Sequence, residues 1–360
     1  MRDCGAAASD YNLDMNFNAQ PLSNFSGGLI VGSLHLTGRA FLAPMAGVSD
    51  FGMRRLAMSF GAALTVSEML DAEFYVGGDR EAVIRAAGEG ITPHIVQIAG
   101  CAAGPLAEAA RLAEAAGAAM IDINMGCPAK RVTGGAAGSA LMRDLDLATD
   151  LIRAVVGAVQ VPVSLKMRLG WDEAAFNAPE LARRAECEGV AMLTVHGRTR
   201  NQFYRGKADW AAIRKVREAV SVPLVANGDC TSARDAAAML EASGADAVMI
   251  GRAAIGRPWL VGQIAAHLAQ GAMADGSALR EPSAASRQEA AVDHYRTLLS
   301  LFGKAKGLRH ARKHLAAYTA GSTRADAGAL RARLVTSENP TEVEALLATL
   351  LEAEPVAGNA

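Results

Sequence analysis

A strand-and-helix pattern that occurs eight times between residues 38 and 268 constrains the fold more than any other feature of this chain. Each occurrence is a short apolar run, a polar or glycine-containing loop, and a helical stretch rich in Ala, Leu, Arg and Glu. Strands that are apolar throughout predict a parallel sheet with helices on both faces. Eight units in about 230 residues predict an α/β fold, a (β/α)8 TIM barrel. The predicted strands are 40–44, 63–68, 94–99, 119–124, 162–167, 191–196, 223–228 and 246–251.

A doubly wound dinucleotide-binding sheet is the main alternative for such a pattern. It is disfavoured because no GxGxxG motif follows the first predicted strand.

The pattern changes after residue 270, where 271–286 is rich in Gly, Ala, Ser and Pro and is predicted to be a linker. Helical patterns at 287–302, 304–319, 325–335 and 340–352 then predict a small C-terminal helical bundle.

The predicted domains are therefore a barrel at 28–270, the linker at 271–286 and a helical domain at 287–355, after a loosely ordered extension at 1–27. The extension contains no hydrophobic stretch and few arginines, so it resembles neither a secretory signal nor a transit peptide. No run approaches the ~18 apolar residues of a membrane helix. We expect a monomer.

The five cysteines are odd in number, scattered and without a CxxC pair. This usage disfavours both a disulfide framework and a zinc site, so we expect no metal and a reducing cytoplasmic location.

Charge is balanced over the whole chain but not along it. Lys and Arg number 36 and Asp and Glu 37, which excludes a wholly basic protein but not a local basic surface. Between His294 and Ala325 there are seven basic residues and no acidic one. Arg309, Arg312 and Lys313 fall within one helical turn there, and we expect them to contact a phosphate backbone. A second basic loop begins at Arg198, after the sixth predicted strand.

Polar residues stand at almost every predicted strand end, which is where (β/α)8 enzymes place their reactive groups. Cys127 lies between Gly126 and Pro128 in a turn that favours a proton donor or a nucleophile. Cys187 is predicted to be a buried helix residue, and Cys101 and Cys230 are weaker candidates.

Lys166 ends the fifth predicted strand, and three roles remain open for it. It can form a Schiff base, provide a fixed positive charge for an anion such as a reduced flavin ring, or pair with Glu68 or Asp122. Arg168 lies on the same side of the strand and suits a substrate carbonyl or phosphate.

The ends of the last two predicted strands carry Asn227-Gly228-Asp229 and Gly251-Arg252. Glycine-containing loops at these two positions commonly bind phosphate in barrels of this type. Arg252 and His196 would add charge and hydrogen bonds to such a phosphate.

Eight segments resemble motifs of the tRNA-dihydrouridine synthase family, and its bacterial B-type branch most closely. They are PMAGVSD (44–50), TVSEM (65–69), VQIAG (96–100), DINMGCPAKRV (122–132), LKMRLGW (165–171), VHGRTR (195–200), VANGD (225–229) and MIGRAAIGRPW (249–259). The downstream KGLRHARKH (306–314) is similar to the same family. Only the N-terminal extension departs from the family's pattern.

The resemblance implies an FMN-dependent, NADPH-driven reduction of the C5–C6 double bond of a D-loop uridine in tRNA. Hydride would pass from flavin N5 to uracil C6, and Cys127 would donate a proton to C5. Asn124 and Arg168 would hold the uracil. Arg198 and the three helical cations would contact the RNA. FMN would contact Pro44, Met45, Ala46, Gln97, Lys166, His196, Asn227, Gly228, Asp229, Gly251 and Arg252.

Three other functions agree with part of the pattern. A cofactor-free lyase or aldolase would use Lys166 as a Schiff base and would need no role for Cys127. A flavin barrel acting on a free small molecule, such as dihydroorotate, would leave the basic helical domain without a function. An RNA-binding protein with an inactive barrel would bind tRNA without changing it.

Overall fold

The computed structural model describes residues 28–270 and 281–352. The predicted extension at 1–27, most of the predicted linker and the residues after 352 lie outside this described part. A short antiparallel hairpin comes first, formed by β1 (Leu29–Val31) and β2 (Leu34–Leu36). The strands that follow are β3 (Ala40–Leu42), β4 (Leu64–Val66), β5 (Leu70–Asp71), β6 (His94–Ala99), β7 (Met120–Met125), β8 (Val163–Arg168), β9 (Met192–His196), β10 (Leu224–Asn227) and β11 (Ala247–Ile250).

Eight of these strands close into a parallel barrel. The order runs β3–β4–β6–β7–β8–β9–β10–β11, and β11 pairs with β3 to complete the circle. Each barrel strand coincides with a predicted strand, so the prediction of a (β/α)8 barrel is confirmed. The hairpin and the two-residue β5 were not predicted, because segments this short carry little periodicity.

Side chains inside the barrel change character from bottom to top. At the bottom, Phe41, Met120 and Val225 form an apolar cluster with Val31 and Leu36 of the hairpin, which closes this end. At the top, the inward positions are polar and buried: Gln97, Asp122, Asn124, Ser164, Lys166, Thr194, His196 and Asn227. The outward positions of the same strands are apolar and pack against the surrounding helices. The upper interior of the barrel is therefore a polar site within an apolar fold.

Ten helices belong to the barrel region, and many begin at an acidic or hydroxyl residue whose side chain accepts a backbone N–H, as Asp50 does from Met53. They are α1 (Phe51–Ser59), α2 (Ala72–Val76), α3 (Arg80–Ala86), α4 (Ala103–Ala115), α5 (Lys130–Thr133), α6 (Leu145–Val156), α7 (Ala178–Cys187), α8 (Trp210–Arg217), α9 (Ala233–Ser243) and α10 (Trp259–Gln270). Two 3₁₀ helices, Gly138–Arg143 and Arg252–Ala254, follow β7 and β11. No helix of the described residues is long and apolar enough to cross a membrane.

The C-terminal region is helical, as predicted, with α11 (Ala284–Tyr318), α12 (Ala327–Thr336) and α13 (Pro340–Leu351). Gly303 kinks α11 between the two predicted helices, because its φ of 73° is not helical. Tyr295, Leu315, Val343 and Leu347 are among the side chains of a second core, which also includes Trp259 of α10.

The helical region packs against α1 of the barrel through buried polar groups. Asp50 lies 3.0 Å from His294 Nε2 and 3.2 Å from His314 Nε2, and all three side chains are buried. Tyr318 contacts His294 Nδ1 at 3.1 Å, and Arg55 forms an ion pair with Asp293 at 2.5 Å. Since Asp50 follows the loop at the end of β3, these contacts tie the helical region to one side of the barrel mouth.

Candidate functional site

A cavity of about 520 Å³ opens at the C-terminal end of the barrel. Nine of the eleven residues predicted to contact a cofactor line it: Pro44, Met45, Lys166, His196, Asn227, Gly228, Asp229, Gly251 and Arg252. Ala46 and Gln97 are not part of this lining. Its size is in the usual range for a cofactor site. The tertiary structure thus brings together loops that are more than 200 residues apart in the sequence.

A hydrogen-bonded chain crosses the polar interior and ends at the turn that carries Cys127. Asp122 accepts hydrogen bonds from Ser164 and from Gln97, both at 2.6 Å. Gln97 in turn accepts from Asn124 Nδ2 at 2.8 Å. Burial raises the pKa of Asp122, although its two donors oppose the shift. The network fixes the amide orientation of Asn124, because both ends of the Gln97 amide are already engaged.

The Cys127 turn is held from two sides. The side-chain oxygen of Asn124 accepts the amides of Gly126 (3.1 Å) and Cys127 (2.9 Å). From the other side, Arg168 Nε donates to the carbonyl of Gly126 at 2.8 Å. Ser139 donates from its hydroxyl to the carbonyl of Cys127 at 2.8 Å. The thiol of Cys127 is half-buried and held on a turn that cannot shift without breaking several hydrogen bonds.

Arg168 is itself fixed in orientation. Its Nη1 donates to the carbonyls of Thr199 and Phe203, each at 2.9 Å, and its side chain is buried. Burial and the neighbouring Arg198 lower the pKa of Arg168, to about 10. It therefore joins the Cys127 turn to the loop after β9 in addition to any contact with a substrate.

Lys166 is buried beside the cavity, and its ammonium donates to Asn227 Oδ1 at 3.1 Å. Asn227 is oriented by donating its amide to the Met249 carbonyl at 2.8 Å. Burial and the nearby Arg168 lower the pKa of Lys166 to about 8. Neither Glu68 nor Asp122 lies within 4.0 Å of this ammonium, so the structural ion pair considered for Lys166 is absent from the described residues. The ammonium is thus free to act on a bound group.

His196 is predominantly a neutral imidazole in this setting. Burial lowers its pKa well below the usual value, and the cations Lys166, Arg168, Arg198 and Arg252 add to the shift. A neutral ring can accept as well as donate a hydrogen bond.

The loops after β10 and β11 form the base of a candidate phosphate site. The backbone amides of Gly228, Asp229 and Cys230 have no acceptor among the described residues. Arg252 and Arg198 both pair with Asp229, at 3.2 Å and 2.5 Å. Burial tends to raise the pKa of Asp229, but the hydrogen bonds from Arg198 and the Ala208 amide hold it below its usual value. Free amides beside an exposed arginine are a common way to bind phosphate.

Arg198 was predicted to contact a substrate, and that role stays a prediction. In the structure its guanidinium is buried and donates to Asp229 and to the carbonyls of Arg205 and Gly206. A direct contact with RNA would require it to leave these partners.

Tyr204 was not identified from the sequence. It is 52 % exposed at the edge of the cavity, and the guanidiniums of Arg168 and Arg252 lie 5.5 Å and 4.9 Å from its ring centre. An aromatic residue within a basic loop was the available signal, since arginines commonly stack on such rings.

The other cysteines differ partly from expectation. Cys187 is exposed, so the prediction that it is buried was wrong: it is the last residue of α7 and lies off the apolar face of that helix. Cys101 is also exposed. Cys230 is buried in the lining of the cavity, and burial raises its pKa to about 12.

Five of the cations of α11 fall into two groups. Arg296 and Lys306 pair with Glu344 and Glu81. Arg309, Arg312 and Lys313 have no carboxylate within 4.0 Å in the described part of the chain, and Arg309 and Lys313 are exposed. The ammonium of Lys313 lies against the backbone of Gly47, so it faces the loop after β3 at the edge of the mouth.

Together these features fit a flavin nucleotide. Unpaired amides and an arginine suit its phosphate, and a buried ammonium suits the ring region that gains negative charge on reduction. A (β/α)8 barrel that combines such a site with a fixed thiol at the same mouth defines a flavin-dependent oxidoreductase. A family model described as dihydrouridine synthase matches residues 41–354, and the chain belongs to that family.

Curated relatives agree over most of their length. The chain is 52 % identical over 320 residues to a probable tRNA-dihydrouridine synthase of Rhizobium leguminosarum bv. phaseoli, covering 89 % of this chain and 97 % of the relative. It is 50 % identical over 321 residues to another protein of that name from Rhodobacter capsulatus, covering 88 % and 95 %. It is 48 % identical over 290 residues to tRNA-dihydrouridine synthase B of Xanthomonas campestris pv. campestris, covering 80 % and 86 %. The family resemblance found in the sequence is confirmed.

Solved structures of low identity support the fold alone. The 6-hydroxypseudooxynicotine amine oxidase of Pseudomonas geniculata N1 superimposes with a TM-score of 0.52 and 13 % identity, over 68 % of this chain and 49 % of that one. Histamine dehydrogenase from Rhizobium sp. 4-9 gives 0.51 and 13 %, over 75 % and 50 %.

Proposed function

We propose that this enzyme reduces the C5–C6 double bond of a D-loop uridine in tRNA, with FMN as its cofactor and NADPH as the reductant. The observation that carries the proposal is the position of Cys127, which is held beside the cavity between Asn124 and Arg168. FMN, when bound, would supply the hydride that is added to uracil C6. The saturated product also needs a proton at C5, and the half-buried thiol is a suitable donor.

The remaining residues of the cavity would bind and orient. The amides of Gly228 and Asp229 with Arg252 would hold the FMN phosphate. Lys166 would stabilise negative charge on the flavin ring. Asn124 and Arg168 would face the uracil, and their own hydrogen bonds would keep them in place. The resemblance to the B-type branch of the family implies uridine 17 as the target.

The folded tRNA cannot enter the cavity, so the uridine must be extracted from its stack. The unpaired cations Arg309, Arg312 and Lys313 lie on the helical region that is docked at the mouth, where they would hold the RNA backbone. The alternative of a flavin enzyme for a free small molecule leaves this surface without a role. A cytoplasmic location and a monomeric state stay predictions.

The proposed function is tested by mass analysis of tRNA from cells that lack this protein, compared with cells in which it is restored. We expect dihydrouridine to be lost at one position and to return on complementation. An unchanged dihydrouridine content, in cells that have no second enzyme of the family, would contradict the proposal.

Replacing Lys166 by Met is expected to weaken FMN binding by the apoprotein by about 10- to 100-fold, because a charged hydrogen-bond donor is removed. With a pKa of about 8, the ammonium of the free protein loses its proton as the pH rises. The FMN affinity of the unaltered protein should therefore fall above about pH 8. Fluorescence titration across pH 6–10 should show this step only when Lys166 is present. The exposed Lys207→Met is the matched control, and an equal effect from it would contradict the assignment.

Neutralising Arg309, Arg312 and Lys313 to Gln is expected to weaken tRNA binding and to lower its salt dependence by about one unit of slope per lost phosphate contact. NADPH oxidation without tRNA should not change. The control replaces Arg111, Arg153 and Arg183, which form exposed ion pairs on outer helices. A matching fall in NADPH oxidation would contradict the assignment of tRNA binding to the helical domain and of the redox reaction to the barrel.

A further inference from the structure

Two arginines from different loops lie against one tryptophan at the barrel mouth. Trp171 follows β8 by three residues, and its ring centre is 4.8 Å from the guanidinium carbon of Arg143 and 4.6 Å from that of Arg200. Arg143 ends the long loop that carries Cys127, and Arg200 lies in the loop after β9. We refer to these three residues as the Arg–Trp–Arg cluster.

The cluster is built into the backbone of the mouth. The amide of Arg200 donates to the Gly170 carbonyl at 2.9 Å, and the amide of Asn201 donates to the Trp171 carbonyl at 3.0 Å. The Arg200 guanidinium also lies 4.8 Å from the Phe203 ring. These contacts join the loops after β8 and β9, so the two guanidiniums are held close to each other by the fold.

The charges of the cluster have no counterion. Within residues 28–270 and 281–352, no carboxylate lies within 4.0 Å of Arg143 or Arg200, whereas Arg111, Arg153 and Arg183 on the outer helices all form ion pairs. The neighbouring Asp172 instead accepts the amides of Ala174 and Ala175. The Cys127 loop adds two exposed cations, Lys130 and Arg131, and no acidic residue. Two like charges against one ring repel each other, and an anion would relieve that repulsion.

The position of the cluster indicates which anion it suits. In a closed barrel of eight strands, β8 stands opposite β3. The helical region is docked after β3, through Asp50 and His294. The cluster therefore lies across the mouth from the helical region, and the loop that carries Cys127 is on the cluster's side. A polyanion that contacts α11 and also reaches the cavity would pass over both sides.

We propose that the Arg–Trp–Arg cluster binds a backbone phosphate of the RNA and forms a second contact surface opposite the helical domain. This inference rests on the proposed function and extends it to residues outside the cavity. Guanidinium groups bind phosphate through paired hydrogen bonds. Stacking on the indole already restricts the orientation of both side chains, so they lose less conformational entropy on binding. Holding the RNA on both sides of the mouth would keep the extracted uridine over the cavity.

The test uses the flavin-loaded, full-length enzyme with Arg143→Gln and Arg200→Gln combined, and measures tRNA affinity at several salt concentrations. We expect an affinity loss of about tenfold or more at low salt and a salt-dependence slope smaller by about two units. The control is Arg111→Gln with Arg153→Gln, which removes the same charge from outer helices and should leave both values near those of the unaltered enzyme. Thermal unfolding checks that both variants are folded.

A second variant separates the role of the ring from that of the charge. Trp171→Leu keeps both arginines but removes their support, so it should weaken tRNA binding, and Trp171→Phe should restore most of it. If the double arginine variant binds tRNA like its control while the unaltered enzyme binds with normal salt dependence, the cluster is not a contact surface and only this inference fails. If the unaltered enzyme does not bind tRNA at all, both this inference and the proposed function fail.

Discussion

Cys127→Ala is expected to lower the rate of dihydrouridine formation in tRNA by about 10²- to 10⁴-fold, the usual contribution of a positioned proton donor. The half-buried thiol sits on a turn fixed by Asn124 and Arg168, and alanine leaves no group there that can donate to C5. NADPH oxidation in the absence of tRNA should continue, because the cysteine is not part of the cavity lining. The measurement is a single turnover of pre-reduced enzyme with tRNA, followed by mass analysis of the product.

Two further cysteine variants make this test specific. Cys127→Ser keeps the size and the turn but substitutes a much weaker acid, so its rate should also be strongly reduced. Cys101→Ala, at an exposed position outside the cavity, should react like the unaltered enzyme. Full activity of Cys127→Ala would show that the proton comes from another group or from water.

Asp50→Asn is expected to lower the free energy of unfolding by about 2 kcal/mol, because it removes a buried carboxylate that two buried histidines contact. The Asp50 carboxylate contacts His294 and His314 where the helical region meets the barrel. Asparagine retains an oxygen that can accept the Met53 amide, so the loss of charge is separated from the loss of the helix cap. Urea unfolding followed by circular dichroism measures the effect.

The pH dependence provides a second check on this cluster. Burial tends to raise the pKa of Asp50, but His294 and His314 outweigh it and hold the pKa well below 3.8. The stabilisation by Asp50 is therefore complete above pH 3.8 and is lost as the pH falls through its lowered pKa. The difference between the unaltered protein and Asp50→Asn should therefore shrink as the pH falls below 3.8.

A matched control for Asp50 is Asp144→Asn. Asp144 caps α6 in the same way, by accepting the Leu147 amide at 3.0 Å, but it is exposed and has no histidine partner. Asp144→Asn should lower the free energy of unfolding by well under about 1 kcal/mol, because asparagine still accepts the amide at the start of the helix. Equal losses for the two variants would mean that the Asp50 cluster does not stabilise the docking of the helical region.

The residue types at the ends of the strands could be predicted from the sequence, because they depend on the local alternation of apolar runs and polar residues. Cys127, Lys166 and Asn227 each follow or end a short apolar run, and parallel strands must present their C-terminal ends at one mouth. The break in α11 at Gly303 was equally local, since glycine permits the non-helical φ found there.

Contacts between distant segments were not readable in this way. Nothing near Asp50 in the sequence indicates that His294 and His314 will face it. The expectation of no metal site was based on cysteine spacing, which carries no information about this cluster of two histidines and one aspartate. The ion pair of Arg198 with Asp229 and the backbone contacts of Arg168 also join separate loops. Each depends on how the loops approach one another, which periodicity does not encode.

The sequence by itself determined the eight-stranded barrel, the helical region after it, the family and the residue types at the mouth, because each follows from a local pattern or a collinear motif. Only the tertiary structure decided which of those residues are free to act. It buried Arg198 in an ion pair, fixed Arg168 against backbone carbonyls, and placed Arg143 and Arg200 against an indole with no carboxylate of the described residues within 4.0 Å. The physical reason is that partners are set by distances in space, and those distances exist only once the barrel has closed.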